Sequence, residues 1–552
     1  MRLPILILIH LAVVVRSSIV RGLAVIALAA VASTLCGADD GFNASRAQLR
    51  KQRQAMQSGM DADRAARAKQ AAATIEQLLA AAEKSRVRNQ SEPLTHLVDG
   101  LELLDAGLAA PLRARVDALP AEPEKAPAPA QSAWDQLLKS KRDSLLQSTR
   151  KRTQDAINLG IADVAGRLMR QYLTFYPDDP VVHTNMGLTR YHDAWYGPRS
   201  LAIAKQGLAW DHEFGWILEK NRERYAKGDY YDLERKQWTT LEAADRDHAD
   251  LAKPWTLLTE HLEIHGNAQL KDLVRCADRL EQFYEQIFAS YALFFSSTGK
   301  NADLKLIFGM ADHPYLVVNL ERTKEDYQKA LPVPAGWSDG MFVGSAKQSA
   351  SYFYVGSEEA MYHEFTHQVL QVFTGTDRAP SWLVEGIAVY TQCPAFEHGA
   401  MVLGHPEKNQ HIQHYFRQMR EKTQLPLERL LLLESGAAWQ AASDPLSNYA
   451  AAGAFVQFCM EGSDRAYRAD FIDYLRDSYR GETKGHALPS YLGIPKQKLA
   501  EAFASWVQQQ ADPRSCPFIC LHPPLDPADA GAIASALGPL RSDSYPRVRA
   551  RR

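Results

Sequence analysis

The chain has 552 residues, 46% of them apolar and 23% charged. This is ordinary globular usage and excludes collagen-like, fully disordered and polytopic membrane proteins. The 63 Lys and Arg nearly balance the 65 Asp and Glu, and a net charge of −2 gives no bulk attraction to nucleic acid or to an anionic membrane. Six cysteines are too few for a disulfide scaffold in a chain of this length.

In chain order, residues 3–15 are almost all apolar. Arg16 and Arg21 then precede a second apolar run, Gly22 to Leu35. A basic segment, an apolar segment and small residues at Ala30, Ala32 and Ala38 make residues 1–38 a signal peptide or a membrane anchor. Either reading predicts an exported protein: periplasmic, extracellular or anchored and facing outward. Residues 39–131 comprise an Ala-rich helical segment, expected as a helical pair or short coiled coil, and then a linker. Pro120, Pro123, Pro127 and Pro129 make the stretch Leu119 to Gln131 stiff and extended.

Residues 132–250 read as tetratricopeptide-like helices followed by Trp-rich modules. Ala156 and Gly160 fall on one expected helix, Ala162 to Tyr176 form a second, and a third carries Gly187 and Tyr191. The helical repeats offer a surface to a protein partner. Trp195, Trp210, Trp216 and Trp238 read chiefly as packing residues. From residue 251 the texture changes. Trp255 to Ile264, Leu304 to Phe308 and Tyr315 to Leu320 are strand-like, and Gln269 to Phe294 is a long amphipathic helix. Thr323 with Asp326 signals a helix start. Two short β-rich runs lie between Met341 and Val355. The pattern over 251–511 is α+β: a small mixed sheet and then a helical subdomain. Residues 512–552 are Pro-rich, end in a basic run, and read as a disordered tail.

The chemistry-bearing motif is His363-Glu364-Phe365-Thr366-His367, on a helix that Ser357 is expected to cap and Gly375 to end. Histidines at i and i+4 project from one helix face and can grip one metal ion from adjacent turns. Glu364 then stands beside that ion as a base. Further on, Ser381 is expected to cap a second helix carrying Trp382-Leu383-Val384-Glu385-Gly386-Ile387-Ala388. A carboxylate among apolar neighbours is costly unless it is paired or bound to metal. Glu385 is therefore the third ligand candidate. Two His and one Glu leave a fourth zinc position for water. Cys393 and Cys459, and Cys516 and Cys520, are pairs that an oxidising compartment would permit to join.

This combination of His-Glu-x-x-His with Trp-Leu-x-Glu-Gly-x-Ala resembles the gluzincin branch of zinc metallopeptidases. More closely, it resembles the MA-clan peptidase-like domain of exported bacterial proteins, over roughly residues 251–510. The resemblance implies a zincin-like fold and hydrolysis of peptide bonds in a peptide or protein substrate. It implies one Zn2+ per chain on His363, His367 and Glu385, with Glu364 as general base. It also implies a Tyr or His that holds the oxyanion. Tyr449 is the first candidate, and His411, His414 and Tyr390 are lesser ones. The chain departs from the pattern in two places. Thermolysin-like enzymes carry an Asp four residues after the third ligand, where this chain has Val389, and the Gly-x-Met-x-Asn substrate strand of aminopeptidases is missing, so exopeptidase activity is not implied. The substrate is expected along an edge strand near Ser351 to Val355. The alternative is a non-catalytic interaction protein on a zincin-like scaffold.

Overall fold

A computed structural model describes residues 18–511, apart from 86, 121, 124–126, 159–161, 234, 296–307, 311–312, 336–337, 345–348, 376–377, 398–399 and 442–443, with side chains described from residue 41 except at 57, 60–63, 85, 103, 162–163, 397, 400, 440 and 464. Residues 1–17, the run 304–307, Cys516, Cys520 and the expected tail from Asp512 lie outside this set. Among the described residues no helix is long and apolar enough to cross a membrane.

The N-terminal half opens with one long helix, α1 (Ser18–Ser85). It packs against α2 (Ser91–Leu104), α3 (Ala106–Asp117) and α4 (Ala128–Asn158), and α5 (Ala162–Phe175) packs on α2 and α4. Leu78, Leu79, Leu94, Val98, Leu101, Leu112 and Leu173 form a buried apolar core there. Glu122, in the Pro-rich connection, accepts the backbone N–H groups of Asn89, Gln90 and Ser91 at 2.7, 2.9 and 3.1 Å. These are the donors that a helix start leaves unsatisfied, and a carboxylate there also meets the positive end of α2.

The third expected repeat helix does not form as read. Gly187 ends the helix Pro180–Met186 in the left-handed conformation, and Tyr191 lies in a strand. From there the chain runs through a three-fold succession of hairpin and helix. The hairpins are β1 (Thr189–Tyr191) with β2 (Ala194–Tyr196), β3 (Leu208–Asp211) with β4 (Gly215–Leu218), and β5 (Asp229–Asp232) with β6 (Gln237–Thr240). Gly187, Gly207 and Gly228 precede the units at positive φ. Trp195, Trp216 and Trp238 sit in the second strand of each. Trp195, Trp210 and Trp216 are buried. Trp210 donates its indole N–H to Asp278 at 3.0 Å and Trp216 to the Leu258 carbonyl at 2.7 Å. The middle unit is thereby fastened to the next sheet and helix in the chain.

That sheet is five-stranded, in the order β10-β11-β9-β8-β7. Its strands are β7 (Trp255–Leu258), β8 (Leu262–Gly266), β9 (Leu316–Glu321), β10 (Gly340–Gly344) and β11 (Ser349–Tyr354). β8, β9 and β11 run parallel, and β7 and β10 are antiparallel to their neighbours at the two edges. The edge strand on this side of the sheet is therefore β10, not the run near Ser351 to Val355, which lies one strand inside. α6 (Leu270–Ser290) buries a continuous apolar stripe that includes Leu273, Leu280, Phe283 and Ile287. Thr323 accepts the Asp326 N–H at 3.1 Å and starts the helix Lys324–Ala330, as its spacing predicts.

The helical subdomain comprises α7 (Glu358–Thr374), α8 (Ser381–Thr391), α9 (Gln410–Glu421), α10 (Pro445–Glu461), α11 (Arg468–Arg480) and α12 (Lys496–Ala511). α1 reaches across to it. Arg46 and Arg53 both pair with Asp470 and Asp473 of α11, Arg50 pairs with Asp470, and the two carboxylate side chains are only 3% and 2% exposed. Phe42 stacks on His486 with ring centroids 3.8 Å apart. The described cysteines Cys276, Cys393 and Cys459 are free thiols, so Cys393 and Cys459 are not joined.

Candidate functional site

α7 is anchored to the sheet through Gln368. Its amide donates to the carbonyls of Val317 in β9 and Ser349 in β11, at 2.9 and 3.2 Å, and accepts from Ser351 Oγ at 2.9 Å. At its start Ser357 is the N-cap residue, but its hydroxyl bonds to Tyr354 rather than to the helix. Gly375 ends α7 in the left-handed conformation at φ 66°, as the sequence predicts. On α8, Pro380 holds the cap position and Ser381 is the first helical residue.

α7 and α8 are held together by a 2.8 Å bond between the hydroxyls of Thr366 and Thr391. α8 crosses α10 at two glycines. A Cβ on Gly386 would lie 2.8 Å from the Ala452 carbonyl oxygen, and one on Gly453 would run into Val389. This explains the Gly next to Glu385: any side chain there would push α8 off α10. It also explains Val389, which is buried in that interface.

The crossing brings three candidate ligands together. His363 Nε2 and His367 Nε2 lie 3.3 and 3.6 Å from Glu385 Oε2, and all three ligand atoms fall within 4.8 Å of one another. Donors at 2.0–2.1 Å from a tetrahedral ion lie about 3.3–3.4 Å apart. The side chains are 14%, 11% and 22% exposed. Each of these histidine nitrogens can donate an N–H to the carboxylate, or, with that proton gone, present its lone pair to a metal ion. Burial alone would lower the pKa of His363, but Glu385 and Glu364 outweigh it and lift it to about 9. Burial raises the Glu385 carboxyl, and the two histidines overcome that and hold it well below the carboxylate range. The donor set fits a divalent ion such as zinc.

Glu364 projects to the side of this cluster. Its Oε2 accepts the Phe342 N–H of β10 at 2.8 Å, which fixes the carboxylate between the cluster and the edge strand. Gly340 allows this approach, since a Cβ there would lie 3.0 Å from Glu364 Cγ. A cleft of about 290 Å³ is lined by Gly340, Phe342, His363, Glu364, Glu385 and Tyr449, among others.

Tyr449, half-buried near the start of α10, has its ring centroid 6.2 Å from that of His363 and 5.7 Å from that of His411. Trp439 packs edge-on against it at 5.1 Å. Burial, with Glu385 nearby, pushes its hydroxyl pKa well up, so it stays a proton donor. Burial, with His363 and His414 nearby, lowers His411 to about 4. Tyr390 is turned away and donates to Glu461 at 2.6 Å. His414 lies 3.4 Å from Arg417 on the outer side of α9.

Two contributors escape the sequence reading. Gln392 Oε1 lies 3.0 Å from His363 Nδ1, and Tyr479 of α11 lines the cleft. Gln392 comes two helical turns after Glu385, a spacing that places both on one face. Tyr479 carries no comparable signal.

Over residues 359–481 the chain is similar to a family described as "Protein of unknown function (DUF1570)". No curated protein and no solved structure gives a match. The matched span begins at the first turn of α7 and ends with α11, so it contains His363, Glu364, His367, Glu385, Gln392, Tyr449 and Tyr479.

Proposed function

We propose that the chain is a zinc-dependent peptidase of gluzincin type, acting outside the cytoplasm on a peptide or protein substrate. The observation that carries this reading is the juxtaposition of one donor cluster, one adjacent carboxylate and one sheet edge. His363, His367 and Glu385 have their ligand atoms within 4.8 Å, and Glu364 stands between them and β10. When bound, zinc supplies Lewis acidity toward a carbonyl and makes water acidic enough to lose a proton near neutral pH. Glu364 takes that proton and returns it to the leaving amine. Tyr449 donates a hydrogen bond to the oxyanion that develops at the attacked carbonyl. β10 offers the main-chain groups against which an extended substrate pairs.

Glu364→Gln tests the assignment. It keeps the side chain's shape and its place beside Phe342 but removes the base. The expected result is retained zinc and fold with most hydrolysis of a broad peptide library lost. A zinc-loaded wild type that cleaves no member of the library would point to the interaction-protein alternative.

A further inference from the structure

Each histidine of a metal site needs its second nitrogen held, or the ring can present either nitrogen, or neither, to the ion. In the thermolysin-like pattern that task falls to an Asp one turn after the third ligand. Here Val389 occupies the position and is buried where α8 crosses α10. The partner of His363 Nδ1 is instead Gln392, at 3.0 Å. Gln392 is 4% exposed and caps the C-terminus of α8, its own N–H bonded to the Ala388 carbonyl at 3.0 Å. The Gln392 amide oxygen faces the imidazole. An amide oxygen can only accept, so it selects the Nδ1–H form of His363. That leaves Nε2 directed at Glu385, 3.3 Å away.

We propose that Gln392 is the positioning residue of the metal centre, holding His363 by a neutral amide where related enzymes use a carboxylate. The proposal rests on the zinc reading above. It has a distinctive consequence: a neutral amide makes the imidazole less basic than a carboxylate in its place would. Its affinity for metal is therefore submaximal, and a carboxylate at position 392 should raise it.

The test is titration of the metal-free, full-length chain with Co2+, read by its d–d absorption. The exchangeable Nδ1–H signal of the ligated histidine is tracked by NMR of the same samples. Gln392→Leu, of similar volume but with no acceptor, should bind Co2+ about 10–100-fold more weakly and lose the protected Nδ1–H signal. Gln392→Glu restores an acceptor and should bind at least as tightly as the wild type, with the signal retained. Wild-type affinity in Gln392→Leu, or equal weakening in both variants, overturns the positioning role while leaving the metal site standing. No Co2+ uptake by the wild type overturns the zinc reading, and this proposal with it. The Gln392→Glu variant also guards against a folding artefact, since a purely structural amide would not be rescued by an added charge.

Discussion

Gly386→Ala perturbs the site without touching any of its polar groups. The new Cβ would lie 2.8 Å from the Ala452 carbonyl oxygen and equally close to Val456 Cγ2, where ordinary contact begins near 3.4 Å. The obstacle is backbone on one side and a β-branched side chain on the other, so no rotamer change relieves it. α8 and α10 must separate by about 0.6 Å at the crossing. Overpacking of this kind costs about 1–3 kcal/mol. For a unit of this size ~2 kcal/mol lowers Tm by about 4–8 °C. The same displacement moves Glu385 relative to His363 and His367, whose Nε2 atoms are 3.3 and 3.6 Å from its Oε2. Metal-donor distances tolerate only about 0.2 Å, so affinity for zinc should fall about tenfold or more. Thermal melts with and without chelator, and zinc competition against a chromophoric chelator, measure the two effects separately. Gly436→Ala is the control, because no atom lies within 4 Å of its added Cβ. If Gly386→Ala matches the wild type in both Tm and affinity, the close α8–α10 crossing does not set the position of Glu385.

Tyr449→Phe should lower kcat by about 10²–10³, with little change in KM or zinc content, because it removes a donor used only in the transition state. A core tyrosine would instead lose about 1 kcal/mol of stability with activity intact, and the same assay on Tyr390→Phe gives the comparison. Asp473→Asn breaks the junction between α1 and α11 and should cost about 3–5 kcal/mol at neutral pH by leaving buried arginines underpaired. Burial raises the Asp473 carboxyl, but Arg53, Arg476 and Arg46 outweigh it and hold it at about 2. Its contribution is therefore present above pH ~4 and lost as pH falls toward 2, an acid dependence that urea melts should find missing from the variant. Glu321 has the opposite sign: burial, with Asp326 alongside, pushes it up to about 7 against the Asn267 N–H. Its stabilising contribution is full below about pH 4.5 and fades as pH rises through 7, so Glu321→Gln should be more stable than the wild type at pH 8, by up to about 3 kcal/mol, and similar to it at pH 5.

Local rules make much of this molecule legible. Thr323 and Asp326 announce a helix start, Gly375 a helix end, and the i, i+4 histidines a shared face. Glu385 is conspicuous because a carboxylate in an apolar helix demands a partner. Where local rules stop, tertiary packing decides. Ser357 and Ser381 look like caps by composition, yet the Ser357 hydroxyl goes to Tyr354 and Pro380 takes the cap position before α8. Sequence misplaces the edge strand because Ser351 to Tyr354 is the more β-prone run, and a run so apolar belongs inside a sheet rather than at its rim. The first hairpin passes for a repeat helix because Gly187 and Tyr191 suit both patterns. The recurrence of Gly187, Gly207 and Gly228 with Trp195, Trp216 and Trp238 is the signal that separates them. The grip of Arg46, Arg50 and Arg53 on Asp470 and Asp473 joins residues more than four hundred positions apart, and no local pattern records such a contact.

The central claim is most directly tested by the metal content of the purified full-length protein, measured by mass spectrometry after exhaustive buffer exchange. The account predicts about one zinc per chain in the wild type and in Glu364→Gln, and almost none in His363→Ala or Glu385→Ala. A wild type that holds no zinc, and takes up none when it is supplied, would contradict it.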